Sequence, residues 1–546
     1  MQSRRIRINR LYAGFNQSQS GRRGTVMVVV LMVIVLLSLA AYTYTDSMIS
    51  EREAAGFYGR GILTRSFADS AIEYTAATLD ARTFEPDENL YHNPDGFFRQ
   101  QMRAGETERA TGLFTVIVPN ERDAGGATVR YGLISESGKL DINSLLKSEL
   151  EDEEIHDLML SIPNMTDEIA DAILDWVDDD EEAREYGVEG IDYTYPIANA
   201  PLQTLDELLM VSGITPAILY GEDSNRNGLL DPNEDDGDVS APLYDNADGI
   251  LDHGLNSYLT VYGTESNVRA DGSEKIYLNE DVLSDLFDQI EEELGETEAQ
   301  FIAAFRIYGS KDAIATIQSG DVNEQTEAAV KNVAVGVAGS PEGTVTRAGL
   351  DLLQTPQYPI NSVFDLVDAE VDCEVDGQPT TLNSPWTSAN LVDILPGLYD
   401  MFTSNEDPVL VGRIDPNHAR TEVLLTIPVE EMTENLAQSI AASSMIGGDG
   451  MPLTDLMVQR ATPGWLLIEG LVDLPTMRIL APHLTTRGSV FRCQTIGYFG
   501  EGGPLTRLEV VIDATSVPSV VLSVQDLTNL GKGYSRNYLQ VTDQDQ

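Results

Sequence analysis

A twelve-residue segment near the middle of the chain carries oxygen-bearing side chains at the spacing that a calcium loop requires. Residues 223–234 read DSNRNGLLDPNE. Ca²⁺ prefers six to eight oxygen ligands, and such a loop supplies them from positions 1, 3, 5, 7, 9 and 12, with Gly at position 6 for the sharp bend. The residues at the ligand positions are Asp223, Asn225, Asn227, Leu229 (through its backbone carbonyl), Asp231 and Glu234. The segment predicts a Ca²⁺ site, and an acidic solvated turn is the alternative interpretation.

A second, incomplete ligand pattern follows shortly afterwards. Aligned on its Gly, it has positions 3, 5, 7 and 9 and lacks positions 1 and 12. The matching residues are Asn246, Asp248, Ile250 and Asp252, with Asp245 as a candidate substitute. This stretch predicts a paired or shared Ca²⁺ site, and metal binding would then couple to folding. The acidic run at residues 175–182 is also rich in ligands, but solvated charge is the preferred interpretation there.

No catalytic motif accompanies these loops. The chain has no Gly-x-Ser-x-Gly, no phosphate-binding loop and no His-Glu-x-x-His, and its five His are scattered. Paired carboxylates identify nothing here, because 89 acidic residues against 34 basic ones give a net charge of −55. That charge repels nucleic acid and anionic lipid at long range. The sequence therefore predicts a protein that is not an enzyme and that binds no nucleic acid.

Hydrophobic patterning predicts the elements that must position the loops. Residues 46–79 repeat apolar side chains at helical spacing. Alternation predicts two strands in residues 112–134 and three more in residues 490–524, whereas residues 81–110 read as a connector. Because two short strands cannot fold alone, the economical arrangement pairs both groups in one sheet packed on the helix. About 350 acidic, mainly helical residues are then inserted between the two groups.

The insertion holds a weak internal repeat at residues 140–173 and 414–440. Each copy reads as two helices around a tight turn and resembles a helix-hairpin-helix, which contacts DNA through its backbone. The acidic surroundings, and Asn164 at a position usually held by Gly, favour a compact helical packing unit instead.

Length and Cys content set further bounds. A chain of 546 residues is long for one core and predicts two or three lobes. Cys373 and Cys493 are the only Cys, which excludes a disulfide scaffold and a Cys-rich zinc site. One disulfide and two buried free thiols both remain open.

The N-terminal region predicts a membrane anchor. Residues 1–24 contain six Arg and no acid, and residues 25–41 are nearly all apolar. Basic residues before such a span place the N-terminus in the cytoplasm and the rest of the chain outside. Three interpretations compete: a secretory signal peptide cut after Ala40, a plain signal anchor, and a prepilin leader whose apolar helix is kept. The abrupt boundary at Arg22-Arg23-Gly24 favours the prepilin leader.

Several short motifs together resemble the general secretion pathway protein K family, the large minor pseudopilins of type II secretion systems. They are the leader boundary at Gly24 and Thr25 with no Glu at Val29, SGKLDIN at 137–143, ILDWVD at 173–178, LLMVSGITPAILYG at 208–221, TPGWLL at 462–467, VFR at 490–492 and RLEVVI at 507–512. The resemblance covers most of the chain, but residues 260–400 look longer than the family usually has. It implies a pilin fold with an inserted helical domain that binds Ca²⁺.

The resemblance also implies a place at the tip of a short periplasmic pseudopilus. The expected partners are the other minor pseudopilins of the tip complex, the prepilin peptidase and the inner-membrane secretion platform. Cleavage after Gly24 would leave a mature chain that starts at a methylated Thr25. Most pilins carry Glu at the fifth mature position, where it meets the free amine of a neighbouring subunit, and Val29 cannot make that contact.

These inferences predict an α+β fold in which a pilin-like N-terminal long helix packs on a small antiparallel sheet. The expected segments are a cytoplasmic leader (1–24), a transmembrane helix (25–45), a pilin-like helix with the first strands (46–140), an inserted acidic domain with the calcium loop (141–486) and the completing strands (487–546). The function expected is that of a minor pseudopilin that initiates or caps the pseudopilus for export across the outer membrane. The chain would be a single-pass inner-membrane protein with its bulk in the periplasm. The alternative is a signal-anchored extracytoplasmic protein whose calcium loop serves docking or adhesion.

Overall fold

A computed structural model describes residues 22–81, 90–120, 128–148, 150–180, 182–189, 195–312, 314, 345–443 and 460–540. The chain divides into two compact units, Met1–Leu63 and Thr64–Gln546. The predicted leader lies almost wholly outside the described residues.

The first unit consists, in its described part, of the N-terminal portion of helix α1 (Arg22–Asp80). Its apolar residues from Val26 to Leu39 are exposed in the isolated chain. In the part of the chain that the structure describes, this is the one helix long and apolar enough to cross a membrane. The structure therefore has the single candidate anchor that the sequence predicts, and the helix continues without a break through the segment predicted at residues 46–79.

The second unit contains a seven-stranded antiparallel sheet. Five strands follow the order β1-β2-β15-β16-β17, while β3 pairs with β2 and β4 pairs with β15. The strands are β1 (Gln100–Arg103), β2 (Gly112–Pro119), β3 (Val129–Arg130), β4 (Ile134–Ser135), β15 (Val490–Phe499), β16 (Thr506–Asp513) and β17 (Val520–Asp526). The predicted pairing of residues 112–134 with residues 490–524 is confirmed. The reading of residues 81–110 as a plain connector is wrong, since it contains β1 and the short helix α2 (Pro94–Phe97).

The C-terminal part of α1 packs on this sheet. Ala68, Ala71, Ile72 and Leu79 lie on one helix face and share a core with apolar residues of β2, β15 and β16. Residues three, four and seven apart share a helix face, which explains this spacing. The predicted α+β fold class, with a long N-terminal helix and an antiparallel sheet, is confirmed.

The insertion between β4 and β15 has one continuous hydrophobic core. Its helices are α3 (Ile142–Leu145), α4 (Asp152–Met159), α5 (Asp167–Val177), α6 (Pro216–Tyr220), α7 (Leu283–Glu293), α8 (Glu296–Tyr308), α9 (Leu391–Met401), α10 (Thr421–Leu424), α11 (Glu434–Ala442), α12 (Trp465–Ile468) and α13 (Leu474–Leu480). Its strands are β5 (Leu140–Asp141), β6 (Leu259–Thr260), β7 (Thr264–Ser266), β8 (Ile276–Tyr277), β9 (Thr346–Arg347), β10 (Leu350–Asp351), β11 (Glu370–Val375), β12 (Gln378–Asn383), β13 (Phe402–Thr403) and β14 (Val409–Val411). These ten strands form two-stranded pairs that the sequence analysis missed.

The structure decides between the two possibilities left open for the Cys residues. Cys373 on β11 and Cys493 on β15 are both buried and free. Asn164, in the turn between α4 and α5, has a φ of 64°, the left-handed conformation for which Gly is usual and Asn is tolerated.

Candidate metal centre

The calcium-loop segment starts directly after helix α6. The helix ends at Gly221, whose φ is 63°. A Cβ added to Gly221 would overlap the carbonyl oxygen of Asp252, and one added to Gly254 would overlap the backbone of residue 221. Because neither glycine has a side chain, the backbone just before the first ligand stretch packs directly against the backbone at the end of the second.

Asp223 organises the first turn of the loop. One carboxylate oxygen accepts from the backbone N–H of Asn227 at 3.0 Å, and the other accepts from that of Gly228 at 2.8 Å. Gly228 has a φ of 66°, and a Cβ there would overlap the ring of Pro119 at the end of β2. Position 6 of the loop therefore needs Gly for its backbone angle and for the close approach to the sheet.

The middle ligand positions converge on Asp231. The side-chain amides of Asn225 and Asn227 donate to its Oδ2 at 2.7 and 3.0 Å. The Oδ1 of Asn225 is buried and has no hydrogen-bond partner. A buried acceptor of this kind is costly, and a cation beside it would remove the cost.

Glu234 closes the loop on its first residues. Its Oε1 accepts from the backbone N–H and the hydroxyl of Ser224 at 3.0 and 2.9 Å, and its Oε2 accepts from the N–H of Asp231 at 3.2 Å. These hydrogen bonds close residues 223–234 into one loop, in which the last ligand position lies against Ser224 and Asp231.

The electrostatics of the loop favour a bound cation. Burial, reinforced by the charge of Glu234, raises the pKa of Asp223 to about 7. Burial also raises the pKa of Glu234. Both side chains are almost fully buried. Grouping buried carboxylates is unfavourable unless positive charge accompanies them, and a divalent oxygen-seeking ion would supply it.

The loop is also the place where the insertion meets the sheet. Gln494 of β15 donates to the carbonyl oxygen of Arg226 at 2.6 Å, and Arg507 of β16 donates to the carbonyl oxygen of Asn225. Leu229 enters an apolar cluster on the sheet face opposite α1, together with Leu113, Ile117, Leu539 and others. Position 7 thus contributes a packed side chain as well as a backbone carbonyl.

The second predicted stretch is organised by a residue that the sequence analysis missed. Glu222 is buried, and its two carboxylate oxygens accept from the N–H groups of Asn246 and Asp252 at 3.0 and 3.3 Å. Within the stretch, the side chain of Asn246 accepts from the backbone N–H of Asp248. The side chain of Asp248 accepts in turn from the backbone N–H of Ile250. The available signal was an acid immediately before position 1 of the first loop.

Asp245, the candidate substitute ligand, accepts hydrogen bonds from three backbone N–H groups. One oxygen accepts from the N–H groups of Asp236 and Gly237, each at 2.6 Å, and the other accepts from that of Ala247 at 2.7 Å. These hydrogen bonds outweigh partial burial and lower the pKa of Asp245. The residue braces the stretch in its folded form.

The reading of residues 175–182 as solvated charge is wrong for Asp175. Its side chain is fully buried and forms an ion pair with Arg184 at 2.8 Å. Arg184 also pairs with Asp152 at 2.9 Å and with Asp178. The run begins in the last turn of α5, and the end of this helix places Asp175 and Asp178 beside Arg184.

The processing positions lie in the first turns of α1. Gly24 and Thr25 are within the helix, and the side chain of Val29 is exposed in the isolated chain. The methylation and cleavage expected there remain predictions.

Comparison with known protein families matches one region of the chain. The family described as "Type II secretion system (T2SS), protein K" matches residues 138–220, from the start of the insertion to the end of α6. The resemblance predicted from the sequence is confirmed for these residues. No curated protein matches the chain.

One solved structure is similar to the chain, the crystal structure of the GspK-GspI-GspJ complex from the enterotoxigenic Escherichia coli type 2 secretion system. The identity is 10%, the TM-score is 0.33, and the match covers 87% of this chain and 99% of that chain.

Proposed function

We propose, from the premise that the chain is a protein K-like component of type II secretion, that it acts as a minor pseudopilin at the tip of the pseudopilus. There it would initiate or cap assembly for protein export across the outer membrane. The observation that carries the proposal is the position of the protein K domain. It begins three residues after β4 and is followed by β15, so it interrupts a unit made of one helix and one sheet.

The size of the insertion favours the tip over the shaft. About 350 residues separate two strands that pair in the same sheet. A lobe of that size on every subunit would clash along a narrow filament, but one copy at the end has room. Val29 supports the same position, since it offers no carboxylate to the amine of a subunit above it. A buried acid in a bilayer costs ~2.5–3.5 kcal/mol, which Val29 also avoids.

The proposed setting follows from the anchor. The apolar part of α1 would cross the inner membrane once, with the N-terminus in the cytoplasm and the second unit in the periplasm. The prepilin peptidase would cut after Gly24. The other minor pseudopilins and the inner-membrane platform would be its partners.

We further propose that residues 223–234 bind Ca²⁺ and that Glu222 recruits the second stretch to a neighbouring site. Support comes from the buried carboxylates of Asp223 and Glu234, the unpartnered Oδ1 of Asn225 and the left-handed Gly228. Extracytoplasmic loops of this type bind with Kd ~10⁻⁴–10⁻³ M. The ion would fasten the insertion to the sheet through the contacts of Gln494 and Arg507 described above.

The test combines melting with complementation. At 10 mM Ca²⁺ such a site should stabilise the chain by about 1.4 to 2.7 kcal/mol relative to EDTA, measured by thermal unfolding. Asp223→Asn/Glu234→Gln should abolish that difference. In cells that lack the chain, the native protein should restore export of secreted proteins, and the variant should restore it poorly.

The matched control is Glu292→Gln/Asp393→Asn, which removes the same two charges from exposed positions. It should retain both the Ca²⁺ response and export. An unchanged melting temperature in EDTA would remove the calcium proposal. Normal export in cells without the chain would remove the secretion proposal, so the two failures are distinguishable.

A further inference from the structure

We propose that residues 235–252, here called the acidic-apolar loop, form a docking surface for a partner protein that presents apolar side chains within a basic border. The loop exposes four large apolar side chains: Val239 by 80%, Leu243 by 69%, Ile250 by 54% and Tyr244 by 48%. None of them belongs to a hydrophobic core formed by the described residues. Their neighbour Leu251, by contrast, is buried. The fold therefore buries Leu251 and leaves these four side chains for contact.

The loop is rigidly braced although it has no regular secondary structure. Asp245 holds the N–H groups of residues 236, 237 and 247, and Asp235 accepts from the N–H of Gly249 at 3.0 Å. The side chain of Asn233 donates to the carbonyl oxygen of Ala241 at 2.9 Å, and Glu222 fixes both ends of the second stretch. A surface already held in one conformation loses little entropy on binding. Exposed apolar side chains on such a frame suit the core of an interface.

Charge selects the kind of partner. The acidic-apolar loop contains no basic residue, and its acids are Asp235, Asp236, Asp238, Asp245, Asp248 and Asp252. A second copy of this chain, with its charge of −55, would be repelled, as would an anionic lipid surface. A surface with Lys or Arg around apolar side chains matches both features, because interfaces place apolar groups centrally and complementary charge at the rim.

The position of the acidic-apolar loop in the chain also suits a docking surface. The acidic-apolar loop directly follows Glu234, the last ligand position of the first stretch. A partner on this surface would contact the chain where the insertion is fastened to the sheet.

The experiment measures binding of a defined probe to the full chain in detergent, in calcium-containing buffer, by fluorescence anisotropy. The probe is a labelled amphipathic helical peptide of Leu and Lys, and the reference peptide replaces each Leu by Ser at the same charge. The native chain should bind the Leu/Lys peptide at least tenfold more tightly than the Ser/Lys peptide. Val239→Ser/Leu243→Ser/Ile250→Ser should remove most of that preference, and Leu243→Ser alone should remove part of it.

The matched control is Val392→Ser/Val411→Ser/Val520→Ser, which changes three similarly exposed apolar residues elsewhere. It should bind the Leu/Lys peptide like the native chain. Equal binding by the loop variants and the native chain overturns the proposal, as does an equal loss in the control. Equal affinity for both peptides would mean attraction by charge alone and would likewise overturn the proposal. Self-association of the native chain without peptide, seen by sedimentation, would identify a second copy as the occupant and also overturn the proposal.

Discussion

At the scale of single residues, Glu136 joins the sheet to the insertion. It follows β4 directly, is fully buried, and accepts from Arg492 of β15 at 2.7 and 3.1 Å. It also accepts from the hydroxyl of Thr260 on β6, and Lys139 lies 3.8 Å away. The carboxylate of Glu136 thus contacts both the sheet and the insertion.

Replacing Glu136 by Gln keeps the shape of the side chain and removes its charge. Arg492 would keep Glu509, which is 3.0 Å away, but its guanidinium would be left under-compensated in a buried position. We expect the free energy of unfolding at neutral pH to fall by about 3 kcal/mol in denaturant titrations. The exposed control Glu430→Gln should change it by less than about 0.5 kcal/mol. Equal stability of Glu136→Gln and the native chain would contradict this role.

The same pair predicts a pH dependence. Burial alone would raise the pKa of Glu136, but Arg492, Lys139 and the hydrogen bonds bring it down to about 2. A carboxylate whose pKa is lowered by folding stabilises the native state above its unfolded pKa, and that contribution is lost as the pH falls through the folded pKa. The stability difference between the native chain and Glu136→Gln should therefore shrink between about pH 4.5 and pH 2.

Sequence reasoning reached some of these residues and missed others. It could name the candidate calcium ligands, because a loop of fixed length has fixed ligand positions, and their binding of Ca²⁺ stays a prediction. It could not single out Glu136, Asp175 or Glu222, because the chain has 89 acidic residues and burial is decided by distant contacts. Arg492, for example, is 356 residues away from Glu136 in sequence.

At the scale of elements, the contact between α1 and β15 depends on one glycine. A Cβ added to Gly497 would overlap the carbonyl oxygen of Thr64 and approach the backbone nitrogen of Ala68. Beside this point the hydroxyl groups of Thr64 and Thr506 lie 3.0 Å apart. The close approach buries Ala68 and Ala71 against the sheet.

Gly497→Ala should force the helix away from the strand. We expect a loss of about 1–3 kcal/mol in the free energy of unfolding, as for other overpacked positions. The control is Gly397→Ala in α9, where an added Cβ meets nothing within 4 Å. Because Ala favours helix over Gly by about 1 kcal/mol, that variant should be unchanged or more stable. If Gly497→Ala unfolds at the same denaturant concentration as the native chain, the described packing is wrong.

The elements themselves were predictable where apolar residues repeat. Strands β2, β15 and β16 are buried along almost their whole length, and apolar residues recur along each of them. Strand β1 reads QQMR and has mostly exposed side chains, so only its backbone pairing with β2 reveals it. The two-residue strands of the insertion carry no periodic signal at all.

At the level of the whole molecule, the sequence predicts the sheet and the insertion but not the contacts between them. Residues 223–234 touch the end of β2 through Gly228 and β15 through Gln494. They also contact the C-terminal segment, where the carbonyl oxygen of Gly533 accepts from Asn227. Those partners are up to 306 residues away in sequence. No local pattern encodes such a contact, whereas the family resemblance at residues 138–220 could be read from short motifs.

In the proposed function, the apolar helix is retained after a peptidase removes a leader, as in a pseudopilin. The most direct measurement is mass spectrometry of the N-terminal peptide of the membrane-extracted chain from cells with an active secretion system. We expect a mature chain that starts at Thr25 with a methylated amine and keeps Val29. A start at Ala41 would show a cleaved signal peptide, and an intact Met1 would show a plain signal anchor. Either result would contradict the proposed pseudopilin function and favour an extracytoplasmic docking or adhesion protein.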